Sequence, residues 1–437
     1  MWYDESVIYQ IYPLGYVGAP ENNDGVVEHR ILKVVDHIPH LKNLGINAVY
    51  FCPIFESSKH GYDTKDFSKV DCRLGTNEDF KSVCKELHKN GIKVIIDGVF
   101  NHVGRDFFAF KDVQQNKYNS TYKDWFYINF DGNSSYNDGF YYEGWKGHYE
   151  LVKLNLDNGE VKNYLFKCIE DWIESFGIDG LRLDVAYMLN KNFMKDLRHL
   201  VNQKYPDFFL VGEMIHGDYK TIVNDEMLHS ATNYECYKGI YSSFNEMNMF
   251  EISYSLNRQF GSESWCLYTG KNMVSFIDNH DVSRIASALT NKKHLNLAFG
   301  LLFTMPGIPC VYYGSEWGME GTKEKGSDAS LRPAIDEPIF NELTEFISKL
   351  CKLRTNNKTL AYGNFTNLHI TNHQYIFERK LDDKKIIVML NASDSTYELN
   401  FNFNTNEGVE LITNKKISLS SPLTLSPCSI QIIQCDI

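Results

Sequence analysis

Paired cysteines at metal or redox spacing are missing from this 437-residue chain. Its ten cysteines, from Cys52 to Cys435, include no Cys-x-x-Cys pair, which argues against a zinc ribbon or a redox motif. Unstapled thiols suit a reducing cytosol, and we read them as small buried hydrophobes. No apolar run is long enough to span a bilayer. The start, Met1-Trp2-Tyr3-Asp4-Glu5, lacks the basic region and apolar run of a secretory leader. Basic runs are also lacking, and the net charge of -12 disfavours nucleic acid and anionic membranes as partners. Internal repeats and low-complexity tracts are absent. What the chain has in excess is aromatic residues, 14% with 27 Tyr and 28 Phe, which suit a protein that stacks on flat apolar ligand faces such as sugar rings.

The first 360 or so residues alternate strand and helix signals. Val7 to Tyr12 (VIYQIY) reads as a strand closed by Pro13, and no Gly-x-Gly-x-x-Gly follows it, which disfavours a dinucleotide fold. Ile31, Val34, Val35, Ile38 and Leu41 predict one helix over Arg30 to Asn43, ended by Gly45. Strands follow at Asn47 to Phe51 and Lys93 to Val99, separated by a helix that Thr76 and Asp79 open as a capping box. From Val103 to Asp157 the alternation stops, and the segment is aromatic and rich in Asn and Gly, as functional insertions are. It resumes with an amphipathic helix from Val161 to Phe176, then strands at Asp179 to Val185, Phe208 to Glu213, Ser230 to Tyr234, Met273 to Asp278 and Ile308 to Tyr313. Helices are expected near Asn192–Lys204, His294–Met305 and Glu337–Arg354. Eight strand-plus-helix units predict a closed parallel (β/α)8 barrel. Beyond Tyr362, short strands with alternating faces and Asn/Asp/Ser/Gly turns predict an antiparallel sheet domain. The expected organisation is a barrel over 1–102 and 158–357, an inserted domain over 103–157, and a C-terminal β-sandwich over 358–437.

In such a barrel, chemistry sits at the C-terminal ends of the strands. Strand three ends in Asp97 to His102 (DGVFNH), strand four in Arg182-Leu183-Asp184, strand five in Gly212-Glu213, and strand seven in Asp278 to Asp281 (DNHD). In strand four, alternation puts Arg182 and Asp184 on one face. That pair is either a surface ion pair or an arginine holding a nucleophilic aspartate ionised. Several carboxylates on one rim could bind a divalent metal. Arg182 competes for the same oxygens, so paired carboxylates for glycoside hydrolysis fit better, one ionised and one protonated.

The four blocks resemble, in order and spacing, the conserved regions of the α-amylase family, glycoside hydrolase family 13. His60-Gly61-Tyr62-Asp63, Lys153-Leu154-Asn155 and Gly307 to Gly314 (GIPCVYYG) are similar to supporting segments. The resemblance implies Asp184 as nucleophile, Glu213 as general acid/base and Asp281 as the third, transition-state-stabilising carboxylate. It implies substrate contacts from Tyr62, Asp63, His102, Arg182 and His280, with Asp97 and Asn101 supporting the shape of the site. Asp328 and Arg332 resemble a pair that grips the next glucose, or they form a loop ion pair. The implied activity is retaining cleavage of α-1,4-glucosidic bonds in maltooligosaccharides, starch fragments or related α-glucans, by a cytoplasmic enzyme. The alternatives are an α-glucosidase, a cyclomaltodextrinase or a 4-α-glucan transglycosylase of the same family, and remotely a non-catalytic binding relative.

Two departures stand out. Many amylases carry Lys and His three and four residues beyond the nucleophile, where this chain has Tyr187 and Met188. The histidine's carbonyl commonly helps bind calcium. Met188 keeps a carbonyl, but the pattern is weakened, so we expect no required cofactor and no metal at the usual Ca2+ site. The loop from Asp131 to Asp138 is the other oxygen-rich candidate. Strand one also starts at once, without the extra N-terminal domain of the cyclodextrin-degrading and neopullulanase-like enzymes. Oligomeric state is not read from the sequence.

Overall fold

Strands dominated by Ile, Val, Leu and Phe with no polar alternation have to be buried on both faces, and a parallel barrel provides that. The computed structural model describes residues 1–436. Eight strands form one parallel sheet: β1 (Ile8–Ile11), β2 (Ala48–Phe51), β3 (Lys93–Gly98), β4 (Gly180–Leu183), β5 (Phe209–Gly212), β6 (Ser230–Ala231), β7 (Val274–Phe276) and β8 (Ile308–Tyr312). Their order is β6-β5-β4-β3-β2-β1-β8-β7. The ring closes where Thr232 bridges Val274 in parallel and the Asn233 N–H donates to the Val274 carbonyl at 2.8 Å.

Around it lie helices including α1 (Ile38–Leu44), α2 (Asn77–Lys89), α3 (Gly159–Phe176), α4 (Lys191–Lys204), α5 (Tyr234–Asn245), α6 (Met249–Phe260), α7 (Leu295–Thr304) and α8 (Glu342–Asn356). The capping box of α2 forms as expected, with Asp79 N–H to Thr76 Oγ1 at 3.2 Å and Thr76 N–H to Asp79 Oδ2 at 2.7 Å. The single helix expected over Arg30 to Asn43 is instead three pieces, a 3-10 turn at Arg30–Leu32, a helical turn at Lys33–Asp36, and α1. Pro39 is the cause: it has no N–H to give to the preceding turn, and its ring crowds that turn's carbonyl. β6 is two residues long because Tyr234 opens α5 rather than ending the strand.

Between β3 and α3 the chain builds small sheets, with His102–Gly104, Gly144–Trp145 and His148–Lys153 pairing antiparallel. Leu154 N–H donates to the Asn101 carbonyl at 3.0 Å, tying this region to the end of β3. After α8 comes a six-stranded antiparallel sheet from Asn364–Ile370 to Ser429–Asp436, and a two-stranded ribbon (Tyr397–Leu399 with Leu423–Leu425). Ile376, Ile387, Met389 and Leu425 form a second, separate core there. All ten cysteines are unpaired; nine are buried and Cys428 is half-buried. Among the described residues no helix is long and apolar enough to cross a membrane.

Candidate active site

Register explains how the polar residues meet. Arg182 on β4 lies directly beside Asp97 on β3, and Leu183 lies beside Gly212 on β5. One residue further, Asp184 and Glu213 leave adjacent strand ends together, their N–H groups still bonded to Gly98 and Leu183 carbonyls at 3.1 and 2.9 Å. The Arg182 guanidinium is buried. It reaches Asp97 at 3.0 Å, Asp184 at 2.7 Å and Glu213 at 3.0 Å. Val185, held in the left-handed region at φ 42°, aims its N–H at Glu213 Oε2, 2.8 Å away. A β-branched residue at positive φ is a strained conformation, kept here by the surrounding packing.

One guanidinium shared among three buried carboxylates cannot neutralise them all. Burial pushes Asp184 well above the usual carboxylate range, and Arg182 only partly counters it. Burial raises Glu213 too, again against Arg182, with the negative charge of Asp281 adding to the rise. Arg182 therefore counters the effect of burial on Asp184 without outweighing it, while facing Glu213 and Asp97 as well.

Asp281 sits on the loop after β7. Burial raises its pKa, but His280 and Arg332 outweigh that and hold it below the ordinary value. Its oxygens lie 3.1 Å from His280 Nε2 and 2.9 Å from Arg332 Nη2. Arg332 also pairs with Asp328 at 2.8 Å and donates from Nε to the His280 carbonyl at 3.0 Å. The Asp328–Arg332 ion pair therefore exists, and it is tied to Asp281 rather than standing free in a loop. Asp97 accepts from Tyr50 and Tyr62 hydroxyls at 2.8 and 3.2 Å as well as from Arg182, so it braces the floor of the site.

These groups open into a cleft of about 970 Å³, lined among others by Tyr62, His102, Trp145, Asp184, Glu213 and Asp281. His102 and His280 are both neutral, burial having pushed each down to about 3. His102 Nε2 is buried with no partner, while its Nδ1 faces the Asn101 amide at 3.1 Å. Of the expected substrate contacts, Arg182 and His280 do not line the cleft, and neither does Asp63. Its carboxylate accepts from the Lys59 and His60 N–H groups at 2.8 and 3.1 Å and shapes the loop that carries Tyr62.

Trp145 and Tyr234 are among the lining residues that were not sequence candidates. Trp145 contributes an indole Nε1 that is buried and unpartnered beside His102, the rings 6.0 Å apart. Tyr234, at the start of α5, accepts from the Asn279 amide at 3.1 Å. The sequence offered only a faint signal for either, an aromatic near Gly147 in the insertion and an aromatic just past the weakest strand.

The carboxylate clusters that could offer a calcium ion its ligands are already bonded to protein groups. Among the described residues, the group of acidic and thiol ligands close enough to share a metal is Glu56, Asp71 and Cys72. Asp71 already accepts from Arg73 Nε at 2.9 Å and Nη2 at 2.8 Å, and Glu56 faces Lys65 at 3.2 Å and the Cys72 N–H at 2.7 Å. In the Asp131–Asp138 loop, Asp138 is gripped by Arg105 at 2.9 and 2.7 Å. A hard cation needs six or more free oxygens, and these are committed elsewhere.

The family description "Alpha amylase, catalytic domain" matches residues 10–344. The chain belongs to the α-amylase family. Residues 370–434 match the cyclo-malto-dextrinase C-terminal domain. A cyclomaltodextrinase from Bacillus sp is 32% identical over 428 residues, covering 91% of this chain and 74% of that protein. The intracellular maltogenic amylase of Bacillus subtilis is 30% identical over 437 residues, covering 92% and 72%. Among solved structures, the cyclic α-maltosyl-(1→6)-maltose hydrolase of Arthrobacter globiformis, in complex with that sugar, superposes with a TM-score of 0.85. It is 25% identical, with 99% of each chain covered. For this α-amylase-family glycoside hydrolase, the four blocks read from the sequence all lie at barrel strand ends facing one cleft.

Proposed function

We propose that this protein is a retaining glycoside hydrolase that cleaves α-1,4-glucosidic bonds in maltooligosaccharides, starch fragments or related α-glucans. The observation that carries the reading is the Arg182 guanidinium bridging Asp184 and Glu213, on adjacent strands, at the floor of the cleft. In this reading Glu213 holds a proton and gives it to the leaving oxygen, favoured in that role by burial and by the charge of nearby Asp281. Asp184 attacks the anomeric carbon from the opposite face and forms a glucosyl ester. Glu213, now a carboxylate, takes a proton from water, which displaces Asp184 and restores the original configuration. His102 and Trp145 offer unpaired buried N–H groups to the sugar hydroxyls, and Tyr62 offers its ring.

A second reading, cyclic maltodextrins as substrates, is supported by the C-terminal domain match and by the names of the relatives. Ten unpaired cysteines and the intracellular relative support a cytoplasmic location. The test is Asp184→Asn and Glu213→Gln assayed on maltoheptaose and on β-cyclodextrin, with product chromatography. Either variant keeping near-wild-type turnover would overturn the assigned roles. Release of shorter linear products from both substrates by the wild type supports both readings.

A further inference from the structure

A glutamine in the middle of a fully buried strand needs a reason, because an amide buried without partners costs several kcal/mol. Gln10 on β1 is such a residue, and its side chain reaches the Nδ1 edge of the His280 ring. We propose that Gln10 is a positioning residue that sets the tautomer of His280, so that Nε2 carries the proton and directs it to Asp281 and the Tyr62 oxygen.

The proton positions follow from the heavy atoms by counting donors. Asp97 is a carboxylate that accepts from Arg182 and from the Tyr50 hydroxyl, so the Tyr62 hydroxyl 3.2 Å away donates its single proton to it. The Tyr62 oxygen is then left as an acceptor for its other neighbour, His280 Nε2 at 2.5 Å. The second neighbour of Nε2 is the Asp281 carboxylate at 3.1 Å, also an acceptor. Both require a hydrogen on Nε2.

The ring lies nearly parallel to those of Tyr62 and Tyr12, centroids 5.7 and 6.1 Å away, and burial keeps it neutral. A neutral ring with a proton on Nε2 has a bare Nδ1, which needs a donor. The neighbour at Nδ1 is the Gln10 amide nitrogen at 2.8 Å, whose second N–H points to Cys52 Sγ at 3.3 Å. The opposite amide orientation would place the proton on Nδ1 and turn the Nε2 lone pair against Asp281 and the Tyr62 oxygen. The other charges near the ring are Arg332 and Lys323 from the segment after β8 and Arg182 from β4; as cations they also favour a neutral imidazole. The amide N–H meets this requirement. A carboxylate at position 10 would demand a proton from Nδ1, and an aliphatic side chain would leave it unpaired.

The consequence for turnover rests on the glycosidase reading, but the tautomer does not. The experiment is 15N NMR of the histidine-labelled full chain from pH 5 to 8, with the His280 signals assigned by loss in His280→Gln. The expected result is a protonated Nε2 and an unprotonated Nδ1 throughout. In Gln10→Glu the proton is expected on Nδ1, with a fall of about tenfold in kcat/KM on maltoheptaose and an acid limb moved upward, the size of one hydrogen bond to a charged group. Gln10→Met, which keeps the volume, is expected to lose less in kcat/KM than Gln10→Glu. A wild-type ring protonated on Nδ1 would overturn the proposal without any variant. Gln10→Glu with wild-type 15N shifts would overturn it too. Failure of maltoheptaose as a substrate would instead count against the glycosidase reading and leave the NMR result to decide this one.

Discussion

Replacing Arg182 by glutamine removes the one guanidinium that faces Asp97, Asp184 and Glu213 at once, at 3.0, 2.7 and 3.0 Å. Each such pair is worth about 4 kcal/mol at 4 Å and an effective dielectric of about 20. The three do not add, because the abandoned carboxylates take up protons instead. Breaking a buried pair by removing one partner costs about 3–5 kcal/mol, and we expect a loss of that size at pH 8. The pH dependence has a definite sign. Without Arg182 the folded-state pKa values of Asp184 and Glu213, already raised by burial, rise further above their unfolded values. A raised carboxylate favours the folded state only while protonated, so stability is lost as pH rises through the folded-state values. The variant should be nearly as stable as wild type at pH 5 and much weaker at pH 8. Urea unfolding followed by circular dichroism across that range measures it. A loss equal at every pH, or under about 1 kcal/mol at pH 8, would refute the shared-cation argument and leave only a packing effect.

Other outcomes follow from single contacts. Trp145→Phe keeps an aromatic ring, though a smaller one, and deletes the buried N–H; steady-state kinetics on maltoheptaose should show KM raised several-fold, as for about 1 kcal/mol of hydrogen bonding, with kcat little changed. Gly15→Ala would put a Cβ 2.2 Å from the Arg332 carbonyl oxygen, displacing the residue that holds Asp281. Thermal melting and KM should both worsen, and unchanged values would contradict the contact. Exhaustive EDTA treatment should leave activity and melting temperature unchanged, since the candidate ligand oxygens are held by Arg73 and Arg105; a large loss of either would show a metal we do not assign.

Much of the barrel could be read from local pattern because its strands are continuous apolar runs and its helices are amphipathic, and Thr76 announces α2 through a purely local bond. The catalytic candidates were legible for the same reason, since each sits at the end of such a run. What local pattern missed depends on partners distant in sequence. Pro39 broke a helix that the apolar spacing alone supports. The threefold sharing of Arg182 depends on the register of β4 against both β3 and β5, which no spacing within one strand encodes. Asp63 looked like a site residue by position but spends its oxygens on its own loop. Trp145 and Tyr234 reach the cleft only once the insertion and the short β6 are folded. Gln10 did carry a signal, a polar residue in the buried run VIYQIY, and its meaning waits on His280, 270 residues away.

Asp184 is assigned as the nucleophile, and trapping its ester tests that most directly. Glu213→Gln incubated with an α-maltosyl fluoride, whose leaving group needs no acid, should form the ester and then stall for want of a base. Peptide mass spectrometry is predicted to find the maltosyl adduct on the peptide carrying Asp184, and to lose it in the double variant with Asp184→Asn. An adduct on another carboxylate, or fluoride turned over at the wild-type rate with none accumulating, would contradict the account.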